Sequence, residues 1–309
     1  LQVTPARQIL LAAWFFITFT NFSFWQAAFN AVGTDNWHSV LFLAALYLLL
    51  ITWLNQILSL LLLPWLFKPL LSVLLLGGAT TAYFMDSYGV VIDREMIRNT
   101  LMTDPREAGE LLSLKLGLYL LLLGVLPVVL LLRSKIHYAS FMKEVGYKFL
   151  TLVMTLVISG GVAAAYYVDI ASFARNNTYI RHMIVPVNYV GAIQSYISST
   201  LSGGKIVVAP LGEDAKKGAK ITAGGQKKVL TVIVVGEAAR ASEFSLNGYA
   251  RVTNPELSKL DIVNYRNVSS CGTETAVSVP CMFSKFTRQD YSDSKAKRNE
   301  NLVDVLKHA

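Results

Sequence analysis

Long apolar runs fill the first half of the chain and then stop. Up to about Ile170 the sequence is dominated by Leu-rich stretches, and beyond Gly203 it has the mixed pattern of a soluble α/β domain. Five stretches are apolar over the roughly 20 residues that a helix needs to cross a bilayer. These predicted spans are Gln8–Ala28, Val40–Leu63, Pro69–Met85, Leu114–Leu132 and Phe149–Val168. The pattern therefore predicts an all-α membrane bundle of five transmembrane helices, followed by a soluble domain.

Polar and small residues inside the spans indicate how the helices pack. Asn21 interrupts the first span, which is the least uniform of the five. Gly77 and Gly78 predict close packing of the third span against a neighbouring helix. Asn55 and Gln56 in the second span fit interhelical hydrogen bonds, which we favour, or the lining of a pathway. No charged residue lies in mid-span, which argues against an ion or proton transporter.

Basic residues in the short loops predict the orientation. Arg7, Lys68 and the loop of residues 133–148 fall on one side of a bundle with five crossings. Because Lys and Arg mark the cytoplasmic side, the amino terminus is expected in the cytoplasm and everything after the fifth span outside. Residues 86–113, which face the outside in this scheme, are net acidic. No cleavable signal peptide is evident, so the first span would act as the export signal.

Composition agrees with a membrane protein. Of the 309 residues 53% are hydrophobic and 16% charged, whereas an average soluble domain has about 25% charged residues. The net charge of +8 comes from residues beside apolar runs or in a linker, and no basic patch is interleaved with aromatics. We therefore expect no nucleic-acid partner. The predicted domains are a transmembrane domain at 1–170, interfacial helices and a linker at 171–228, and the start of a soluble α/β domain at 229–309.

A surface helix and a linker are predicted between the two domains. Apolar residues recur at helical spacing from Tyr189 to Ile197, which fits a helix in the lipid headgroup layer or, equally well, one packed on the soluble domain. Gly203 to Lys228 contains six glycines and several lysines, with little apolar periodicity. This composition is typical of a flexible linker.

The soluble region opens with a β-branched run. Val229–Val235 lacks alternation, as does a strand buried on both faces of a parallel sheet. A second short strand is predicted at Ile262–Tyr265. Ligands of open α/β sheets bind beyond the carboxyl ends of the strands, so Glu237 stands where a catalytic or metal-binding carboxylate would lie. Solvated acids at strand ends are a common alternative.

A small-residue turn after the second strand opens into a predicted helix. A hydroxyl at the helix start faces unpaired N–H groups and the positive end of the dipole, which suits a nucleophile that attacks a phosphate. Thr273 or Thr275 fits this role, although helix capping is the stronger interpretation of either residue alone. In an oxidising compartment Cys271 and Cys281 are expected to form a disulfide rather than stay free and buried. A disulfide would hold the turn rigid, which favours a site.

Four segments resemble lipid A phosphoethanolamine transferases, a family of the alkaline phosphatase and sulfatase superfamily that includes the enzymes of transferable polymyxin resistance. The segments are Val235–Ala241, Phe244–Tyr249, Thr253–Pro255 and Cys271–Ser284. The five spans and Asp169–Asn188 also fit, so the resemblance covers nearly the whole chain. It implies a membrane bundle followed by the start of an alkaline-phosphatase-like α/β domain.

The resemblance assigns roles to residues in both regions. Thr275, the second threonine of a Cys-Gly-Thr-x-Thr pattern, would be the catalytic nucleophile and a zinc ligand. Glu237 would be a second zinc ligand, and Cys271 and Cys281 would form a disulfide.

The acidic outer loop carries a second motif. Asn99, Thr103 and Glu107 fall on an Asn-x3-Thr-x3-Glu pattern that would bind the ethanolamine headgroup of the substrate. Their spacing of four predicts that they share one helix face. Without the family, a surface helix with ordinary polar residues would be the preferred interpretation.

One part of the family pattern is missing. The family's other zinc ligands are an Asp-His pair in an Asp-His-Gly motif, and none of the four histidines here lies in that context. We therefore expect the remaining Asp and His ligands beyond Ala309, an incomplete catalytic domain, and no turnover by residues 1–309 alone.

The resemblance implies transfer of phosphoethanolamine from phosphatidylethanolamine to a phosphate of lipid A. The reaction would use Zn²⁺ and a covalent phosphothreonine, on the periplasmic face of a bacterial inner membrane, and would confer resistance to polymyxin and other cationic peptides. The alternatives are a phosphoethanolamine or phosphoglycerol transferase acting on lipopolysaccharide core sugars or another envelope glycan, and a non-enzymatic membrane anchor or sensor. The expected partners are the two lipids and the bilayer. The oligomeric state is left open, with a monomer as the default.

Overall fold

The computed structural model describes residues 2–61, 66–103, 105–137, 140–201, 206–219, 230–236 and 239–309. The chain divides into two compact units, Leu1–Thr200 and Leu201–Ala309. The domain limits predicted at residues 170 and 228 stay predictions.

The first unit is almost entirely helical. Its helices are α1 (Pro5–Phe19), α2 (Phe22–Val32), α3 (Trp37–Leu61), α4 (Phe67–Tyr88), α5 (Arg94–Met102), α6 (Pro105–Glu110), α7 (Leu114–Arg133), α8 (Phe141–Ala165), α9 (Tyr167–Asn176) and α10 (Val187–Leu201), with a 3-10 turn at Ile180–Met183. Two short parallel strands, β1 (Gln2–Val3) and β2 (Lys135–Ile136), pair with each other.

Among the described residues, four helices are long and apolar enough to cross a membrane, namely α3, α4, α7 and α8. They confirm the second to fifth predicted spans, although Leu62 and Leu63 at the end of the second lie outside the described residues. Helix α7 contains a π-helical segment at Leu120–Val125, where the N–H of Leu126 donates to Leu121 O. Pro127 follows directly and has no N–H to donate, which favours such an irregular turn.

The first predicted span is wrong as one continuous helix. The chain bends by 62° between α1 and α2, so this pair makes a fifth crossing only if it counts as one broken span. The break lies at Thr20 and Asn21, whose side chains both donate to Phe16 O, at 2.9 and 2.8 Å. Such local bonds compete with the helix ladder and bend the chain.

Asn21 also ties distant parts of the first unit together. Its amide Nδ2 donates to Val185 O at 3.0 Å, and its Oδ1 accepts from Val185 N at 2.9 Å. Both residues are fully buried. Gly78 lies beneath them, where a Cβ would stand 2.9 Å from a ring carbon of Phe16 and 3.4 Å from Val185. The close packing predicted for the glycine pair is confirmed here.

Helix α10 packs on the membrane unit through Tyr189. The Tyr189 hydroxyl donates to Leu74 O at 2.7 Å, and a Cβ on Gly77 would lie 3.1 Å from the Tyr189 ring. Burial of this phenol raises its pKa above the ordinary value. The helix predicted at Tyr189–Ile197 is therefore present and is anchored on α4 by its buried tyrosine.

The two polar residues of the second span behave differently. Gln56 Nε2 donates to Ser159 Oγ at 3.2 Å, which confirms an interhelical hydrogen bond between α3 and α8. Asn55 is fully buried, and neither its Oδ1 nor its Nδ2 has a hydrogen-bond partner among the described residues.

The basic loops meet at one end of the bundle. The β1–β2 pair holds the amino terminus beside the loop after α7. Lys68 Nζ donates to Leu132 O and Ser134 O, at 3.0 and 2.8 Å, and Lys148 Nζ donates to Ser59 O at 3.3 Å. The prediction that these loops share one side is confirmed, while the identity of that side stays a prediction.

The second unit contains short helices and extended segments. Its helices are α11 (Thr275–Phe283), α12 (Asp293–Lys297) and α13 (Leu302–His308), with 3-10 turns at Ala241–Glu243, Ser245–Asn247 and Leu257–Lys259.

The two strands predicted in this unit are wrong for the residues described. Residues 230–236 and 261–265 belong to no strand, and Val229 lies outside the described residues. Val234 is 86% exposed and Val263 80% exposed. A strand needs a neighbour to pair its N–H and C=O groups, and no backbone hydrogen bond joins either segment to another described residue.

Part of the predicted linker is bonded to the segment just before the last helix of the second unit and packs on that helix. Ala209 forms a parallel bridge with Asn299, and Leu211 N donates to Glu300 Oε2 at 2.9 Å. A Cβ on Gly212 would lie 3.0 Å from Val305. Residues 206–214 are therefore held in place, whereas 203–205 and 220–228 of the predicted linker lie outside the described residues.

Candidate active site

The predicted nucleophile lies at the start of helix α11. Thr275 is the first residue of this helix, and Glu274 occupies the cap position with an extended backbone. Glu274 makes no side-chain cap bond, while its carbonyl accepts from Val277 N and Ser278 N at 3.0 and 2.8 Å. Thr275 thus stands in the first turn, at the positive end of the dipole, and capping by Thr273 or Thr275 is not the arrangement found.

A disulfide closes the loop around Thr275. Cys271 and Cys281 are bonded, with Cα atoms 6.3 Å apart, which confirms the predicted pair. Gly272 is required inside this loop, because a Cβ there would lie 3.0 Å from Val277 Cγ1. The crosslink joins the turn to the far end of the helix, so Thr275 is held between two fixed points.

The motif segments before this loop fold against each other. Thr253 Oγ1 donates to Glu243 O at 2.6 Å and accepts from Ser245 N at 2.9 Å. Asn247 Nδ2 donates to Ala241 O at 2.9 Å. These hydrogen bonds join the Phe244–Tyr249 and Thr253–Pro255 segments of the sequence pattern into one turn. Glu237 itself lies outside the described residues.

The described residues do not assemble a metal centre. No group of three or more His, Cys, Asp or Glu side chains among them is placed to hold a metal ion. Zinc sites use three or four protein ligands. Glu237 and Thr275 would be two of these ligands, both binding through oxygen, so they define no coordination geometry by themselves.

The headgroup motif does not share one helix face, and this prediction is wrong. Asn99 lies in α5, which ends at Met102, and α6 begins only at Pro105. Thr103 is the C-cap of α5 in an extended conformation, and its Oγ1 donates to Asn99 O at 2.7 Å. The break follows from Pro105, because helices usually end before the residue that precedes a proline. Glu107 belongs to α6, and its side chain lies outside the described residues.

A cavity that the sequence analysis did not identify lies at the start of α5. It has a volume of about 560 Å³ and is lined by both acidic and basic side chains, among them Asp93, Arg94, Arg181 and His182. Asp93 Oδ1 accepts from Met96 N at 2.9 Å and so caps α5. An Asp three residues before an apolar position was the one sequence signal for this helix start. Asn99 and Thr103 are not among the residues that line the cavity.

A second feature that the sequence analysis missed is the anchored carboxylate of Asp86. Its Oδ1 accepts from the backbone N–H of Ser23 at 3.1 Å and from the Ser23 hydroxyl. Its Oδ2 accepts from the Tyr119 hydroxyl at 3.2 Å. Asp86 therefore joins α2, α4 and α7 at the end of the bundle opposite to the basic loops.

Comparison with known proteins identifies both units. The family model described as "Phosphoethanolamine transferase EptA/EptB" matches residues 50–201, and the model described as "Sulfatase" matches residues 230–309. Phosphoethanolamine transferase EptA of Escherichia coli K12 is 36% identical over 97% of this chain and 55% of its own length. Phosphatidylethanolamine transferase Mcr-1 of Escherichia coli is 38% identical over 77% of this chain and 44% of its own length.

A solved structure agrees with the whole fold. The integral membrane protein lipooligosaccharide phosphoethanolamine transferase A (EptA) from Neisseria meningitidis superposes with a TM-score of 0.86 and 30% identity, covering 100% of this chain and 57% of its own. The chain thus combines a helical membrane unit with part of a sulfatase domain. It belongs to the phosphoethanolamine transferase family. It spans about half the length of the curated relatives that it matches.

Proposed function

We propose that the full-length protein transfers phosphoethanolamine from phosphatidylethanolamine to a phosphate of lipid A. The observation that carries this proposal is the position of Thr275. It starts helix α11 within a loop that the Cys271–Cys281 disulfide closes, in a chain whose relatives are named as transferases of this group. A single reactive hydroxyl in a rigid turn suits covalent catalysis of a group transfer.

The reaction proceeds in two displacements at phosphorus. In the first, Thr275 Oγ1 bonds to the phosphorus of phosphatidylethanolamine, the bond to the diacylglycerol oxygen breaks, and diacylglycerol leaves with the proton. In the second, an oxygen of a lipid A phosphate bonds to the same phosphorus, the bond from phosphorus to Thr275 Oγ1 breaks, and the proton of the attacking phosphate passes to Thr275 Oγ1. The positive end of the α11 dipole would face the negative charge that develops on the phosphoryl oxygens.

Zinc completes the proposal as the family resemblance implies it. Glu237 and Thr275 would contribute ligands, and the ion would supply a positive charge that favours the ionised hydroxyl. The outer loop would hold the ethanolamine headgroup through Asn99, Thr103 and Glu107. The break between α5 and α6 brings Thr103 back onto Asn99, so these two residues form a local pair while Glu107 would approach separately.

The location and the consequence follow from the charges. The end of the bundle with the basic loops would face the cytoplasm of a bacterial inner membrane, which places the second unit in the periplasm. The oxidised cysteine pair fits this compartment. Capping a lipid A phosphate with an ethanolamine cation lowers the negative charge of the surface. Polymyxin and other cationic peptides would then bind it less well.

Substitution of Thr275 in the full-length protein tests the nucleophile. Thr275→Ala should abolish phosphoethanolamine addition to lipid A, as measured by mass spectrometry of lipid A from expressing cells, and Thr275→Ser should retain part of it. Thr287→Ala is the matched control, because this exposed threonine bonds Asp290 and lies outside the loop. Undiminished addition by Thr275→Ala would refute the assignment. Unmodified lipid A with altered core sugars in the unsubstituted protein would move the acceptor to the core.

Metal analysis tests the zinc separately. The purified full-length protein should contain zinc, and Glu237→Gln should lower both its zinc content and its activity. Full transferase activity in a protein free of metal would contradict the zinc proposal. The covalent step would then be tested by the Thr275 variants alone. Absence of both zinc and transferase activity would favour a membrane anchor or sensor.

A further inference from the structure

A cleft at the basic end of the bundle is unrelated to the proposed transfer. It has a volume of about 430 Å³, within the range of ligand pockets, and lies between α1, α4 and α7. Its walls are mostly aliphatic and aromatic, with Leu11 and Trp14 from α1, Leu75 from α4 and Leu130 from α7.

The mouth of the cleft is positively charged. Arg7 and Arg133 line it, and no acidic side chain is among the described residues that do so. Lys68 stands nearby and occupies the terminal carbonyls of α7, at Leu132 and Ser134, so those oxygens do not neutralise the two guanidinium groups. A guanidinium binds phosphate oxygens through two parallel N–H donors.

The apolar wall is open to the side of the bundle. The exposed fraction is 46% for Leu11, 44% for Trp14 and 61% for Leu130. These residues lie in helices that are apolar enough for the bilayer. Water would be an unfavourable neighbour for this wall, whereas a hydrocarbon chain would cover it. The site therefore offers a charged end for a phosphate and an apolar groove for an acyl chain.

We propose that this cleft binds one anionic phospholipid, with its phosphate at Arg7 and Arg133 and one acyl chain along Leu11, Trp14 and Leu130. Basic pockets between transmembrane helices at the cytoplasmic side bind anionic lipid headgroups. A zwitterionic phosphatidylethanolamine would bring its ammonium group towards two like charges, so the cleft selects a lipid with net negative charge. The bound lipid joins α1 to α7 and stabilises the folded protein by mass action.

Lipid titration of the full-length protein tests the proposal. Delipidated protein in detergent is titrated with phosphatidylglycerol or phosphatidylethanolamine, and bound lipid is counted by native mass spectrometry while the unfolding temperature is recorded. We expect one tightly bound phosphatidylglycerol that depends on Arg7 and Arg133, and a higher unfolding temperature when it is bound. Phosphatidylethanolamine also binds as the proposed donor, so its binding should not depend on these two arginines. Raising the salt concentration should weaken the phosphatidylglycerol complex.

Three variants locate the site. Arg7→Gln with Arg133→Gln should weaken phosphatidylglycerol binding by about tenfold or more. Leu130→Trp should also weaken it by filling the groove while both charges remain. Lys143→Gln removes a charge from the same basic loops outside the cleft and should leave binding unchanged.

The outcomes separate the site from general lipid contact. An equal loss of both lipids in the double arginine variant, or unchanged phosphatidylglycerol binding in both the double arginine variant and Leu130→Trp, would overturn the proposal. If the double arginine variant fails to fold, Leu130→Trp alone decides, because it keeps the charges of the loops. Transferase activity is not needed for any of these measurements, so they stand apart from the test of Thr275.

Discussion

The two units differ in how far their apolar residues are buried. In the first unit, Leu54 and Val185 are almost completely buried between helices. In the second, the β-branched residues Val234 and Val263 stand exposed in extended segments. The residue types are similar, so the difference lies in what each element needs from the rest of the chain.

A helix closes its own hydrogen bonds, whereas a strand depends on a neighbour. The backbone bonds of α3 and α8 join residues four positions apart, so these helices form wherever the local sequence is apolar and long enough. The segment at residues 230–236 would pair only with another strand, which the described residues do not supply. The first unit is thus packed helix on helix, whereas the second is held by local turns, by the contacts of residues 206–214 with residues 299–305, and by the disulfide.

The largest expected effect is at Asn21, whose buried hydrogen bonds to Phe16 and Val185 form a clamp between distant parts of the first unit. Asn21→Leu removes the bonds to Phe16 and both backbone bonds to Val185. Each buried group left unpaired costs about 1–3 kcal/mol, so the free energy of unfolding should fall by about 3 kcal/mol. Denaturant unfolding in detergent measures the change. A loss below about 0.5 kcal/mol would show that the clamp contributes little.

Removal of the disulfide should act on the second unit only. In Cys271→Ser with Cys281→Ser, the free energy that holds α11 in place should fall by about 2–3 kcal/mol. Hydrogen exchange should quicken in peptides of α11 and stay unchanged in those of α4. Equal changes in both peptides would contradict the independence of the two units.

Glycines in two helices of the first unit should respond with opposite sign. Gly78→Ala places a methyl group 2.9 Å from Phe16 and should cost about 1–3 kcal/mol. Gly160→Ala in α8 meets nothing within 4 Å and should gain about 0.5–1 kcal/mol from helix propensity. Unfolding of both variants in the same detergent checks this, and a cost at Gly160 would count against the packing described.

Asn55 is the counterpart of Asn21 without its bonds. Asn55→Leu replaces an amide that has no hydrogen-bond partner in the part of the chain that the structure describes with an apolar side chain of similar size. The change should therefore be neutral or stabilising by about 1 kcal/mol. A clear loss of stability in the same unfolding assay would mean that the amide makes an essential contact.

The smallest effect is expected at Glu300. Its pKa lies below the ordinary value of 4.5, first because the carboxylate accepts from Leu211 N and then because His308 Nε2 lies 2.9 Å away. A lowered pKa stabilises the folded state above pH 4.5, and this stabilisation disappears as the pH falls through the folded-state value. Hydrogen exchange of residues 206–214, corrected for the intrinsic rate, should show this dependence. Glu300→Gln should remove it, and persistence in the variant would assign it to another group.

Local signals made much of the first unit predictable, and distant partners limited the rest. The runs that form α3, α4, α7 and α8 are set by the thickness of a bilayer, so composition alone located them. The hydrogen bonds between Asn21 and Val185 could not be predicted from the sequence, because the two residues are 164 positions apart. Pro105 was a local signal for the break after Thr103. The prediction of one continuous helix face followed the family spacing of Asn99, Thr103 and Glu107 instead.

The candidate site shows the same division. Thr275 at a helix start and the Cys271–Cys281 pair depend on neighbouring residues, and both positions followed from the sequence. The paired strand before Glu237 depends on segments far along the chain, and it is not formed among the described residues. The proposed role of Thr275 is to form a covalent intermediate, which can be measured directly.

Trapping the covalent intermediate tests this role most directly. The full-length protein is mixed with phosphatidylethanolamine without acceptor, quenched in acid, digested, and mapped by mass spectrometry over the peptide from Cys271 to Cys281. The account predicts one phosphoethanolamine group on Thr275, absent from Thr275→Ala and released when lipid A is added before the quench. Release of diacylglycerol with no modified residue, or with the group on another side chain, would contradict it.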